Sequence, residues 1–117
     1  MLKVDLQRIC GLSPAQADEA VRSILPSTFV SGSGDGKRLE LAPASVAVIE
    51  LVKLLQSAFG ESSPVPKDAA RQAAPAISTM WHTGQERDLL VEVEGCDLNV
   101  TIRPSFISKA KALVAAA

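Results

Sequence analysis

The start of a helix near residue 13 constrains this chain more than any other local feature. Ser13, Pro14 and Gln16 stand at the N-cap, first and third positions of a helix, where each residue type is favoured. The serine and the glutamine satisfy backbone N–H groups reciprocally, and proline loses nothing at a position whose N–H is unpaired. Gly11 is typical of the end of a preceding helix, so about two or three residues separate two helices. Such a turn sets the helices at a steep angle and turns the second one outward.

Apolar spacing predicts what these two helices bury. The first is expected to turn Val4, Leu6 and Ile9 inward, with Asp5 as its cap. Over residues 13–25 the apolar positions recur at helical spacing and predict one buried stripe. The members of that stripe are Ala17, Ala20, Val21, Ile24 and Leu25.

A glycine-rich segment follows, between two stretches with strand character. Residues 28–30 and 37–41 favour strands, and the glycines of residues 31–36 allow the positive φ angles of a hairpin tip. Pro43 then opens a helix that runs to Phe59 and is apolar on several faces, as in a core spine or a dimer surface. The order helix, turn, helix, hairpin, helix predicts a winged helix-turn-helix.

The remainder of the chain predicts a smaller second unit. Proline and serine cluster at residues 61–66 and indicate a linker. Residues 67–82 are alanine-rich and helical, with Pro75 expected to bend or split the helix. Two alternating segments, 88–94 and 97–103, predict a second hairpin with one apolar face, and a final helix follows it. The fold class expected is therefore α+β.

Three segments carry a resemblance to a known family: the Ser13-Pro14 helix start, the run Gly36-Lys37-Arg38-Leu39-Glu40-Leu41, and the helix start Ala42-Pro43-Ala44-Ser45-Val46. With these segments, residues 4–59 resemble the MerR-type winged helix-turn-helix family. The resemblance implies that the second helix enters a DNA major groove and that the hairpin is a wing beside it.

The resemblance also implies which side chains of the second helix meet DNA. Ser13 and Gln16 would approach base edges or phosphates, and Arg22 would contact the phosphate backbone. Glu19 could accept a hydrogen bond from a cytosine amino group, although Asp18 and Glu19 also repel phosphate.

Lys37 and Arg38 would clamp phosphate from the wing, because ammonium and guanidinium groups form charge-assisted hydrogen bonds with phosphate. The alternative is that these two residues are only the solvated end of a hairpin turn.

Charge makes dimerisation part of this hypothesis. The chain carries a formal net charge of −1, and residues 1–60 hold six basic and six acidic side chains. A neutral unit with about two or three phosphate contacts binds DNA weakly alone, so two subunits are expected to act together. We expect residues 1–60 to form the winged unit, 61–66 a linker, and 67–117 a homodimerisation unit, because an apolar hairpin needs a helix or a symmetry mate to cover it.

No catalytic, cofactor or metal site is predicted. Cys10 and Cys96 have no CxxC spacing, and His82 has no catalytic partner in the sequence. Cys10 is expected to pack as a small apolar residue. The chain has no secretory leader pattern and no apolar run of about 20 residues, so a soluble cytoplasmic protein without a membrane segment is expected.

The sequence therefore predicts a non-enzymatic, sequence-specific DNA-binding transcriptional regulator, a small dimeric repressor whose partner is double-stranded DNA. The alternative is a protein-interaction adaptor in which a winged helix-turn-helix fold has lost DNA binding.

Overall fold

The computed structural model describes residues 1–32, 39–93 and 97–117 of the chain. In these ranges the fold is α+β, as expected, with five α-helices and two antiparallel hairpins. The helices are α1 (Lys3–Cys10), α2 (Pro14–Glu19), α3 (Ser45–Phe59), α4 (Val65–Thr83) and α5 (Ser105–Ala116). The strands are β1 (Val30–Ser31), β2 (Glu40–Leu41), β3 (Leu89–Val93) and β4 (Leu98–Ile102), and helical turns of π type and 3-10 type occupy Ala20–Ile24 and Ser27–Phe29.

The first helix ends as predicted, but two of its residues are placed differently. Gly11 follows α1 with a left-handed φ of 66°, which ends the helix. Asp5 lies at the third position of α1 rather than at its cap, and its carboxylate accepts a hydrogen bond of 2.8 Å from the cap residue's backbone N–H. Val4 is 61% exposed, so its expected inward orientation is wrong. Leu6 and Cys10 form the buried side, one helical turn apart.

The second helix is confirmed in its start and in its buried stripe. Ala17, Ala20, Ile24 and Leu25 are buried, whereas Val21, the remaining member of the stripe, is half-buried. After α2 the helix widens into a π-type turn, in which the Leu25 N–H donates to the Ala20 carbonyl at 2.9 Å. Leu25 itself has an extended backbone, because the residue before a proline is disfavoured in the helical region. The helical segment therefore ends one residue earlier than predicted.

The first hairpin is shorter than the sequence suggests. Its strands pair over two residues each, with Val30 opposite Leu41. The strand predicted from residue 28 begins only at residue 30, because Ser27–Phe29 forms a 3-10 turn that buries the phenylalanine. Residues 33–38, which include most of the predicted tip and the first two residues of the predicted second strand, lie outside the described residues.

The second hairpin has the predicted strands and alternation. β3 and β4 pair antiparallel, with Leu89 opposite Ile102 and Val93 opposite Leu98. Helix α4 packs against β3 and covers the apolar face, so Leu89, Val91 and Val93 are buried. Leu98, at the far end of that face, is 48% exposed.

Helices α3 and α4 form the centre of the molecule. Of the two alternatives for α3, a core spine or a dimer surface, the structure shows a core spine: the helix is buried continuously from Ser45 to Val52 and packs against α1, α4 and α5. α4 runs through Pro75 as one helix, so of the expected bend or split, the split does not occur. Pro75 is exposed, so the carbonyl that loses its hydrogen bond there lies on the side open to solvent.

One hydrophobic cluster includes residues from both sides of segment 61–66, from Leu6 on α1 to Ala110 on α5. None of the helices in the described ranges has the length and apolar character to cross a membrane.

Candidate nucleic-acid interface

The start of α2 is a complete capping box. The Gln16 backbone N–H donates to Ser13 Oγ at 3.2 Å, and the Ser13 N–H donates to Gln16 Oε1 at 2.9 Å. Ser13, Pro14, Ala15 and Gln16 are all exposed, so this first turn is open to a partner. The sequence motif therefore specifies a rigid helix start on the surface.

The capping box limits what Gln16 can do to a base. Bidentate recognition of adenine uses the amide oxygen as acceptor and the amide nitrogen as donor. In the structure the oxygen is occupied by the Ser13 N–H, and only the nitrogen is free of hydrogen bonds to the described residues. In this conformation the Gln16 amide nitrogen has two N–H donors for a phosphate or a base acceptor, whereas its oxygen is turned toward the Ser13 N–H and has one lone pair left.

Arg22 lies one helical turn beyond Asp18 and is exposed. Its Nε donates to the Asp18 carbonyl oxygen at a long 3.4 Å. That contact uses one of the five N–H donors of a guanidinium, which leaves its terminal nitrogens able to form a bidentate pair with phosphate.

The two acidic side chains of α2 each face a lysine from another helix. Lys3 of α1 forms an ion pair with Asp18, and Lys67 of α4 forms one with Glu19. The hydrogen bond from Lys3, together with its positive charge, lowers the pKa of Asp18 below its ordinary value. The carboxylates that would repel phosphate are thus locally neutralised, and Lys67 occupies one oxygen of the Glu19 carboxylate.

Helix α4 adds a second cation beside the π-type turn. Arg71 Nε donates to the Ser23 carbonyl oxygen at 3.0 Å, and its guanidinium lies 3.5 Å from an Asp68 carboxylate oxygen. About half of the Arg71 side chain is exposed. The surface made by α2 and its flanking lysines and arginines, Lys3, Arg22, Lys67 and Arg71, is called the α2 surface below.

Sequence reasoning found Arg22 but missed the other three members of the α2 surface. Lys3 is 15 residues from its partner in sequence, and Lys67 and Arg71 are each 48 residues from theirs. No local spacing marks such pairs, because they depend on how α1 and α4 pack on the second helix. The predicted wing contacts, Lys37 and Arg38, lie outside the described residues.

The remaining reactive side chains do not assemble a catalytic or metal centre among the described residues. Cys10 is buried, as expected, and burial raises the pKa of its thiol to about 11. His82 is exposed near the end of α4. No group of three potential metal ligands lies together in the described ranges.

No protein-family model, curated protein or solved structure matches this chain.

Proposed function

We propose that residues 1–59 form a winged helix-turn-helix that binds double-stranded DNA, with the helix beginning at Pro14 in the major groove. The supporting observation is the α2 surface: an exposed, capped helix start whose acidic side chains are paired and whose edges carry cations from α1 and α4. A helix N-terminus also favours a nearby phosphate. The protein would act as a transcriptional repressor without enzymatic activity.

Two subunits are part of this proposal. The cations of the α2 surface stand beside Asp18, Glu19 and Asp68, so few positive charges remain unpaired for phosphate. Each phosphate contact contributes through the release of counterions, and a small number of contacts gives weak binding at moderate salt. A homodimer would double the number of contacts on one duplex.

The experiment is fluorescence anisotropy of a labelled mixed-sequence duplex, titrated with protein at low and at moderate salt, with the protein's mass from light scattering. The double variant Arg22→Ala/Arg71→Ala should weaken binding and lower the slope of log K against log salt by about one for each phosphate that is no longer neutralised. The matched control is Arg103→Ala, an exposed arginine after β4, which should leave both quantities unchanged. Absence of salt-dependent binding, or an equal weakening in the control, would refute the DNA interface.

The second candidate, a protein-interaction adaptor, is supported by one observation. Leu90 lies on the outward face of the second hairpin and is 70% exposed, and Leu98, at the open end of the opposite face, is 48% exposed. In an adaptor, a partner chain would cover one of these apolar side chains. An adaptor would show no DNA binding at low salt, and the Arg22→Ala/Arg71→Ala variant would then be indistinguishable from the wild type.

A further inference from the structure

A cleft lies between α3 and the start of α5, away from the α2 surface. Its volume is about 480 Å³, and its lining includes Glu50 and Leu54 from α3 and Phe106 and Lys109 from α5. Sites for small molecules are mostly clefts of about 300–1,000 Å³ with apolar walls and a few polar groups. This cleft has that size, and its lining combines two apolar side chains, Leu54 and Phe106, with polar and charged ones.

Glu50 is the most unusual side chain of the cleft, because it is charged and only 5% of its side chain is exposed. Its carboxylate oxygens lie 3.6 Å from Lys53 Nζ and 3.9 Å from Lys109 Nζ. Both lysines form ion pairs with Glu50, but the separations are longer than hydrogen bonds, and no described residue donates a hydrogen bond to this carboxylate. A buried carboxylate is stable only when its acceptor positions are satisfied. Glu50 can therefore take an N–H donor from a ligand.

Whereas Glu50 attracts a hydrogen-bond donor, the rim of the cleft attracts an anion. With one carboxylate and two ammonium groups, the cleft has an excess of one positive charge. Lys53 Nζ also donates to the Cys10 carbonyl, whereas the Lys109 side chain is 70% exposed. Ser105 lies beside it in the first turn of α5. A carboxylate placed here would meet the Lys109 ammonium and the Ser105 hydroxyl.

We propose that this cleft binds a small α-amino acid with an apolar side chain. The ammonium of the amino acid donates to Glu50, and its carboxylate accepts from Lys109 and Ser105. Its side chain packs on Leu54 and Phe106, the apolar walls of the cleft. The buried carboxylate and the exposed ammonium of the cleft thus each meet the group of opposite charge on one molecule. This binding is independent of the proposed DNA interface.

Isothermal titration calorimetry of the full chain with leucine, valine and alanine tests the proposal. At least one should bind with one-to-one stoichiometry. Two analogues of leucine serve as ligand controls: isocaproic acid, which lacks the amino group, and isoamylamine, which lacks the carboxylate. Each should bind about tenfold or more weakly, since each loses one charge-assisted interaction. No binding of any of the three amino acids, or equal binding of either analogue, would overturn the proposal.

Two variants locate the binding. Glu50→Gln and Lys109→Gln should each weaken amino-acid binding by about tenfold. Lys111→Gln is the matched control: it is the same change on the same helix, but Lys111 lies over the Trp81 ring, 5.6 Å from its centre, and not in the cleft. If the buried Glu50 variant does not fold, the exposed Lys109 variant still decides. Unchanged affinity in Lys109→Gln, or an equal reduction in Lys111→Gln, would overturn the assignment.

Discussion

The capping box at the start of α2 makes a quantitative prediction about stability. Ser13→Ala removes the acceptor of the Gln16 N–H, a bond of 3.2 Å. Replacing an N-cap serine by alanine costs about 1 kcal/mol in the free energy of unfolding. Gln16→Ala removes the reciprocal 2.9 Å bond to the Ser13 N–H. Because this bond is exposed to water, its loss should cost about 0.5 kcal/mol, at the low end for a neutral hydrogen bond.

Urea unfolding, followed by far-ultraviolet circular dichroism, measures these costs. With a denaturant slope of about 2 kcal/mol per molar urea, Ser13→Ala should lower the unfolding midpoint by about 0.5 M. Ser62→Ala, the same change at an exposed serine before α4, is the control and should stay within about 0.5 kcal/mol of the wild type. If Ser13→Ala is as stable as the control, the capping box does not hold the start of α2, and the reasoning from its geometry is refuted.

A second substitution at Ser13 tests whether this residue only caps the helix or also contacts DNA directly. Ser13→Gly removes the hydroxyl but costs only a few tenths of a kcal/mol, because glycine is also a good N-cap residue. If Ser13 serves only as a cap, Ser13→Gly should bind DNA as the wild type does. If DNA affinity falls while stability is retained, the hydroxyl contacts DNA directly, and the capping role is not its only one.

Two further predictions concern titratable groups. Lys3→Met should raise the pKa of Asp18 toward its ordinary value of 3.8, as followed by the chemical shift of its carboxyl carbon. Since the folded-state pKa of Asp18 is lowered in the wild type, the stability that Lys3 provides is present above the ordinary pKa and is lost as the pH falls through the folded-state pKa. The wild type and the Lys3→Met variant should therefore become equally stable in acid. A difference in stability that stays constant with pH would contradict the ion pair. In a variant whose other cysteine is replaced by serine, the thiol of Cys10 should react with a disulfide reagent at mildly alkaline pH only as fast as the protein unfolds, because the side chain is only 2% exposed. Burial also raises the pKa of this thiol to about 11, which lowers its thiolate fraction. Rapid labelling of the folded protein would instead show that the thiol is accessible. The stability linked to the raised pKa of Cys10 is present below the ordinary pKa of 9.0 and is lost as the pH rises toward 11.

The sequence correctly predicted those features of the fold that depend on residues close together in the chain. The capping box at Ser13, the left-handed Gly11 and the alternation of the second hairpin all depend on residues within a few positions of one another. The apolar length of α3 likewise identified the core spine. Alternation fixes the register of an antiparallel pair, because a slip of one residue would expose the whole apolar face.

What the sequence could not predict depends on packing between distant segments. Pro75 suggested a break, but a proline on the exposed side of a long helix loses one hydrogen bond that solvent replaces, and packing against the core holds the helix together. Lys67 and Arg71 reach the second helix only because α4 packs beside it. Nothing in the sequence distinguishes Glu50 from other acidic residues, because only the placement of α5 gives its carboxylate Lys109 as a neighbour.

The structure also changes the basis for expecting a dimer. The apolar hairpin face needed either a helix or a symmetry mate, and α4 supplies the helix, so Val91 and Val93 are buried within one chain. The need for a second subunit now rests on charge alone. With about three phosphate contacts, a monomer would show a slope of log K against log salt near −2.7, and a dimer on one duplex would show twice that value. The slope and the mass must therefore agree: a monomeric mass with a steep slope would mean that residues beyond the α2 surface, such as Lys37 and Arg38, carry much of the binding.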